Sequence, residues 1–472
     1  MYINKYKAFI LFLYLLLLPA ILFIDISKNG FKYLAIFSVL ELALFIIGNW
    51  KITGQIFSYS VLFAVLLYIF HFGQVVLLGL FPDLTRNQQI TLLYFPESAC
   101  INALYVLNIA FLFVCIGLLA TSKPSTNSNE GDNECLLEAN NLYEKSRIII
   151  LLTFPIKIII DGIFLFISMR NGLNAGLIFL MSIPDFIVSY GNLVIVGFCA
   201  MLLGLQYESR KQKKACILMI LYYVLLMLSG RRSENVAYVC ILALFFVKSY
   251  RKKINIKFIV VISFLAYFFL NFLYAVVASR SSLGNQNISD IWDTFIYTLN
   301  HRNIFVEALR EYGNTGYTAV AVISNWLPYY GSNHGLSLLY SLTALVPNVG
   351  GLAGQLTAKG NFATQLQRTT GVLSNQYMNI GGSLFGELFF SFGVFGGILS
   401  CLILGLFIGW LSRKFDDYLN SGEYYKIAYY VGAYASIIYW IRDRVAGGIR
   451  CFVWGAILVY IANRMVLRGK KE

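Results

Sequence analysis

The chain has 472 residues, of which 58% are hydrophobic and 13% charged, and its mean hydropathy is +0.69. That composition excludes a soluble globular domain and implies a polytopic membrane protein. The formal charge of +14 calls for no nucleic-acid partner, because basic segments facing anionic membrane lipids account for much of it.

In chain order, apolar runs fall at roughly 8 to 24, 32 to 49, 56 to 81, 100 to 120, 148 to 168, 186 to 206, 215 to 229, 236 to 247, 258 to 279, 385 to 410, 427 to 441 and 451 to 463. They predict an all-α protein of about twelve transmembrane helices. Lys5 and Lys7 precede the first run, and no small-x-small pattern follows Leu15 to Pro19. The first helix is therefore expected to remain uncleaved, with a cytoplasmic N-terminus. Twelve crossings return the basic tail of Arg464, Arg468, Lys470 and Lys471 to the cytoplasm, and most of the 37 Lys and Arg then lie inside. The expected divisions are an N-terminal bundle over 1–279 with a polar, flexible linker at 121–147, a large external loop over 280–384, and C-terminal helices with a basic tail over 385–472.

Two pairs of neighbouring runs are too short to cross a bilayer. Ala215 to Ser229 and Val236 to Val247 reach about 22 and 18 Å as helices, against a hydrocarbon core of about 30 Å. The turn between them, Gly230-Arg231-Arg232-Ser233-Glu234-Asn235, is thus expected below the outer surface, where a charge faces a polar cavity or a bound anion. The second pair, 427 to 441 and 451 to 463, carries Arg442-Asp443-Arg444 and Arg450 in its turn, and Arg280 follows the ninth run. Three arginine-bearing segments at similar depth suit a pyrophosphate, since guanidinium forks bind phosphate oxygens bidentately and stay charged. The bland alternative is that these arginines snorkel to lipid phosphates or pair with Glu234 and Asp443.

Inside the runs, Lys157 and Asp161 are four apart and read as a structural pair. Glu41 lies mid-run, and His71 reads as a core histidine. The eight cysteines show no metal-ligand or C-x-x-C spacing and read as small core residues.

A loop as long as 280–384 inside a compact membrane protein is usually functional. Residues 290 to 311 show helical periodicity, with Ile291, Phe295, Leu299, Ile304, Val306 and Leu309 as an apolar stripe. Asn325 to Gly331 and Val346 to Gly351 read as turns and extended pieces. His301 and His334 lie in this loop, where a neutral imidazole can accept a hydroxyl proton, unless they are only surface residues. Glu387 is a lone carboxylate in the Gly-rich stretch Gly381 to Gly393, and it either pairs with an arginine or serves as a base. Asp290 and Asp293 form only a loose acidic pair. The expectation is therefore a metal-independent reaction, with arginines in place of a cation.

Leu228-Ser229-Gly230-Arg231-Arg232-Ser233, Gly386-Glu387 and Phe392-Gly393, set in about twelve helices with one large late loop, together resemble the O-antigen polymerase (Wzy) family of bacterial repeat-unit polymerases. Arg302 and Gly313 fit the family's R-x10-G pattern, and no second copy occurs. The resemblance implies a fold similar to metal-independent GT-C transferases, with no cofactor, in the bacterial inner membrane. It implies undecaprenyl-pyrophosphate-linked oligosaccharides as substrates at the periplasmic face, and a chain-length regulator and a flippase as pathway partners. On this reading Arg231, Arg232, Arg280, Arg442 and Arg444 hold the pyrophosphate. Arg302, Trp326, Tyr329, Tyr330 and Tyr377 meet the glycan, and Glu387, His334 or His301 takes the proton. The rivals are an O-antigen ligase, which shares the chemistry, and a lipid-linked oligosaccharide flippase, for which short loops and even helices would be expected.

Overall fold

A computed structural model describes residues 5–22, 29–85, 90–124, 132–228, 232–250, 288–348, 351–369 and 381–469, with isolated positions between 264 and 275. Among them no strand occurs, and 7 helices are long and apolar enough to cross a membrane. They are Gly30–Thr53, Tyr59–Leu80, Glu97–Thr121, Glu134–Ser168, Asp185–Gly204, Leu384–Ser421 and Val445–Val466. Each carries 20 or more residues, enough for about 30 Å at roughly 1.5 Å per residue. The runs read at 8 to 24, 215 to 229, 236 to 247 and 427 to 441 are also helical, as Lys5–Leu22, Ser209–Leu228, Arg232–Ser249 and Tyr424–Trp440, but they are not in that set. The run at 258 to 279 lies mostly outside the described residues.

Two compact units divide the chain. One contains Met1–Ser128, Ala308–Asn420 and Trp440–Ile449; the other contains Asn129–Glu307, Ser421–Tyr439 and Arg450–Glu472. In the first, helices cross where glycines let backbones touch. A Cβ at Gly405 would lie 2.4 Å from the Val114 carbonyl oxygen, and one at Gly117 would lie 2.6 Å from that of Leu402. Close backbone approach of this kind maximises dispersion contact where lipid gives helices no hydrophobic reason to associate.

In the second unit, Lys157 Nζ lies 3.1 Å from Asp161 Oδ1 with both side chains buried, and Tyr222 donates to Asp161 Oδ2 at 2.7 Å. The pair expected four residues apart is therefore present, with a phenol satisfying the second carboxylate oxygen. Of the polar stretch 121–147 read as a flexible linker, 125–131 lie outside the described residues, and from Asp132 a single helix runs to Asn171. Its polar end is docked: Tyr425 N donates to Glu138 Oε1 at 3.1 Å, and Lys145 lies 5.5 Å from the centre of the Tyr425 ring. Composition alone suggested a linker because the tertiary partner of Glu138, 287 residues downstream, is invisible locally.

The described parts of the long loop, 288–348, 351–369 and 381–383, are mostly short helices. Ile288–His301 and Ile304–Gly313 divide the apolar stripe at Arg302 and Asn303, and the segment read as a turn at 325 to 331 contains the helix Leu327–Tyr330. Every residue of Thr315–Ala321 is buried. It enters the core against Tyr59–Leu80, where a Cβ at Gly316 would lie 2.4 Å from the His71 carbonyl oxygen and one at Gly313 would lie 2.4 Å from Gln74 N. Gly313, the glycine of the R-x10-G match, thus permits backbone contact.

Gly405→Val is expected to lower stability by about 1–3 kcal/mol or more through overpacking against Val114. A thermal melt of the purified protein in detergent checks this, with Gly54→Ala, which meets nothing within 4 Å but sits at φ 74, as a strain-only comparison.

Candidate active site

The Gly-rich stretch of the sequence analysis begins with residues 381–383, laid against the turn that carries Arg442, Asp443 and Arg444. A Cβ at Gly382 would lie 2.5 Å from Asp443 Cα, so only glycine allows this approach. Leu384 N donates to Ile441 O at 3.3 Å, and Thr318 Oγ1 donates to Gly381 O at 3.1 Å. Ser383 then caps the helix Leu384–Ser421, its Oγ accepting from Gly386 N at 3.1 Å. His71 fixes that cap. Its Nδ1 is 3.0 Å from the Leu67 carbonyl, which only accepts, so Nδ1 carries the hydrogen and Nε2 accepts from Ser383 Oγ at 2.9 Å. His71 is a buried histidine, as expected, and nothing local in the sequence marks its partner 312 residues away.

One turn further, Glu387 is fully buried. Its Oε2 accepts two hydrogen bonds, from Trp440 Nε1 at 2.5 Å and from Val445 N at 2.8 Å. Val445 opens the helix Val445–Gly469. The carboxylate therefore lies at the positive ends of two helices, its own and that one. Its Oε1 has no hydrogen-bond partner among the described residues. The sequence allowed either an arginine partner or a base; the contacts place Glu387 behind the arginine turn, bonded to the residues that flank it.

On that turn Arg442 lies 5.7 Å from both the Phe70 and Tyr312 ring centres, with Nη2 3.7 Å from Glu311 Oε1. Its flat guanidinium is thus held by aromatic rings. Asp443 Oδ1 accepts from Arg444 N at 2.7 Å. The Arg444 guanidinium has no ion-pair partner among the described residues. The arrangement offers two cations on a turn whose shape is fixed by a carboxylate behind it.

The far end of the Gly-rich stretch is a kink. Gly393 takes φ 72 and ψ −172, so the carbonyls before it lose their helical partners. The loop supplies replacements: Asn333 N donates to Phe390 O at 3.1 Å and Gly335 N to Ser391 O at 2.9 Å. Between those donors sits His334, exposed, at φ 55, with Nδ1 3.5 Å from Ser332 Oγ. A non-glycine residue in the left-handed region is strained, and such strain is concentrated at functional positions.

Trp326 is buried, stacks near Tyr330 and Phe390 with ring centres 4.6 and 4.8 Å away, and donates Nε1 to Gly331 O at 3.0 Å. Its indole is a core group here, leaving Tyr329 and Tyr330 as the exposed rings. In the second unit, Arg302 Nη1 donates to Tyr274 Oη at 2.7 Å and to the buried Glu307 at 2.8 Å. His301 is exposed, stacked on Tyr297 at 4.5 Å, with Nδ1 3.1 Å from Tyr297 O. Arg450 is buried, bonded to Asp185 and, at 2.8 Å, to Ser189 Oγ. Arg231, Arg280 and Tyr377 lie outside the described residues, and Arg232 is described only as the first residue of Arg232–Ser249.

A family model described as O-antigen polysaccharide polymerase Wzy matches residues 6–469. No curated protein and no solved structure matches the chain.

Glu387→Ala removes the acceptor for two half-buried donors, each of which costs up to about 1–3 kcal/mol when left unpaired. Glu387→Gln keeps one acceptor oxygen and is expected to fall between Ala and the parent. Comparing the melting of the three proteins, with protein abundance as a control, checks the order; equal melting of Ala and parent would refute the anchor role.

Proposed function

Since this chain belongs to the O-antigen polysaccharide polymerase Wzy family, whose members act on lipid-linked oligosaccharide repeat units, we propose that it joins undecaprenyl-pyrophosphate-linked units into a surface polysaccharide at the periplasmic face of a bacterial inner membrane. Both termini are cytoplasmic in this reading. The match along nearly the whole chain is the observation that carries it.

In the reaction, an acceptor sugar hydroxyl attacks the anomeric carbon of the donor's reducing-end sugar. The bond from that carbon to the pyrophosphate oxygen breaks, and undecaprenyl pyrophosphate leaves with the electron pair. Arg442 and Arg444 meet the developing negative charge, as preorganised cations do in a site of low dielectric. Arg231, Arg232 and Arg280 are further candidates for the same leaving group. No divalent metal takes part, and the arginines do that work.

His334 takes the hydroxyl proton, because it is the histidine on a strained, exposed loop position fixed at both sides by backbone bonds to the helix kink. Glu387 positions the arginine turn. Tyr329 and Tyr330 supply ring faces for sugars. His301 and Arg302, tied to their own neighbours, shape the loop in this scheme.

The test is the glycan ladder of a strain lacking the chain: acceptors carrying one repeat unit support polymerisation, whereas acceptors carrying none point to a ligase or a flippase. Arg442→Lys is expected to lose most long chains, since an ammonium lacks the planar fork that both stacks and bonds bidentately. His334→Gly is expected to lower polymerisation about 10²–10⁴-fold while raising stability by about 1 kcal/mol through relief of left-handed strain. Rate with purified lipid-linked units and EDTA, together with melting, checks both effects. A fully active His334→Gly would exclude the imidazole as base, and a reaction stopped by EDTA would exclude the metal-free scheme.

A further inference from the structure

The helix Leu336–Leu345 is built inside out. Its serines are buried: Ser337 Oγ lies 2.7 Å from Ser391 Oγ, and Ser341 Oγ donates to Ser337 O at 2.8 Å. Its large apolar residues face outward instead, with Leu336, Leu339 and Leu342 at 49%, 60% and 48% exposure and Val346 beyond them at 57%. The spacing of three places them on one face. Water would oppose this arrangement on every turn, whereas hydrocarbon favours it.

The helix is also attached to a spanning element at a definite level. Asn333 N and Gly335 N bond the carbonyls of Phe390 and Ser391, just before the kink at Gly393. From Gly393 to Arg413 is about 30 Å of helix at roughly 1.5 Å per residue, which is the thickness of a hydrocarbon core. Along that length Phe395, Leu399 and Ile403 point outward, as the lipid-facing side of a spanning helix does. With Arg413 at one boundary, Gly393 falls at the other, and the backbone bonds to Phe390 and Ser391 hold the leucine-bearing helix at that level.

We infer that the leucine face of Leu336–Leu345 is seated in the acyl chains of the leaflet at the Gly393 end of Leu384–Ser421, which brings His334 to headgroup level. The occupant of this face is therefore bilayer lipid. The segment between the spanning helices is not a free aqueous loop, and its imidazole stands where the polar group of any membrane-anchored substrate is found. The placement goes beyond the proposed glycosyl transfer and does not depend on it.

The test uses the full chain in proteoliposomes, labelled with bimane at Leu339→Cys, with Phe395→Cys as lipid-facing reference and the unsubstituted protein as blank for its eight native cysteines. Doxyl-labelled phosphatidylcholine is expected to quench the Leu339 probe to within about twofold of the Phe395 probe, with little quenching by iodide. Leu342→Cys repeats the measurement on the same face should Leu339→Cys fail to fold. Quenching by iodide without quenching by doxyl lipid would overturn the inference in favour of an aqueous loop. Quenching by neither would overturn it in favour of a protein cover. Because fluorescence is read without turnover, a failed glycosyl-transfer reading would leave this result standing, and the reverse also holds.

Discussion

The two hydrogen bonds that Glu387 accepts from Trp440 and Val445 hold the first unit's polar end together. Helix ends leave unpaired backbone donors, and inside a membrane protein these must find partners within the fold. Val445 N is such a donor at the start of its helix, and the indole Nε1 of Trp440, a side-chain donor on the last residue of the preceding helix, needs a partner as well. A single carboxylate satisfies both and thereby fixes the turn between them. That turn holds Arg442 and Arg444, so the position of the cations follows from a carboxylate bonded to the residues on either side of it. The glycine at 382 is the complementary requirement, because any side chain there would push the turn away from the helix that carries Glu387.

The second junction follows the same physics with the roles reversed. At Gly393 a helix breaks and its carbonyls become free, and the backbone N–H groups of Asn333 and Gly335 from the loop complete them. A donor-rich loop is thereby fixed to an acceptor-rich kink, and His334, between the two donors, has little choice of conformation. Its positive φ is the consequence. Ser383 and His71 supply the remaining support by capping the helix between the junctions. Anchor and kink both lie on the Gly381 to Gly393 stretch, which explains why glycines, a carboxylate and a Phe-Gly pair occur together there.

The sequence made some of this legible. Spans such as Tyr59–Leu80 and Glu97–Thr121 match apolar runs within a few residues, because helix length in a membrane is dictated by bilayer thickness. The Lys157 and Asp161 pair was readable because helical geometry fixes the contact of residues four apart. What the sequence hid is long-range. The indole of Trp440 and the amide of Val445 are 53 and 58 residues from Glu387, and nothing local marks either as its partner. Trp326 read as a sugar-stacking ring because an aromatic near an interface has the same composition whether it is buried or exposed. Its contact with Phe390 joins two segments far apart in the chain, which periodicity does not reveal.

The loop between the late spans shows most plainly how tertiary context overrides a local reading. A stretch with glycines, asparagines and few charges suggests turns, yet Thr315–Ala321 is buried throughout and Gly313 and Gly316 touch the backbone of Tyr59–Leu80. Those glycines serve close approach rather than chain reversal. Because the segment is packed on one spanning helix at Gly313 and bonded to another at Phe390 and Ser391, its intervening residues are held between two rigid elements. Tyr329, Tyr330 and His334 are therefore exposed on a supported surface, and a group carried on a rigid support keeps its geometry at little entropic cost. The difference between a free loop and a supported surface here is the set of glycines that let the chain sit close to the helix Tyr59–Leu80.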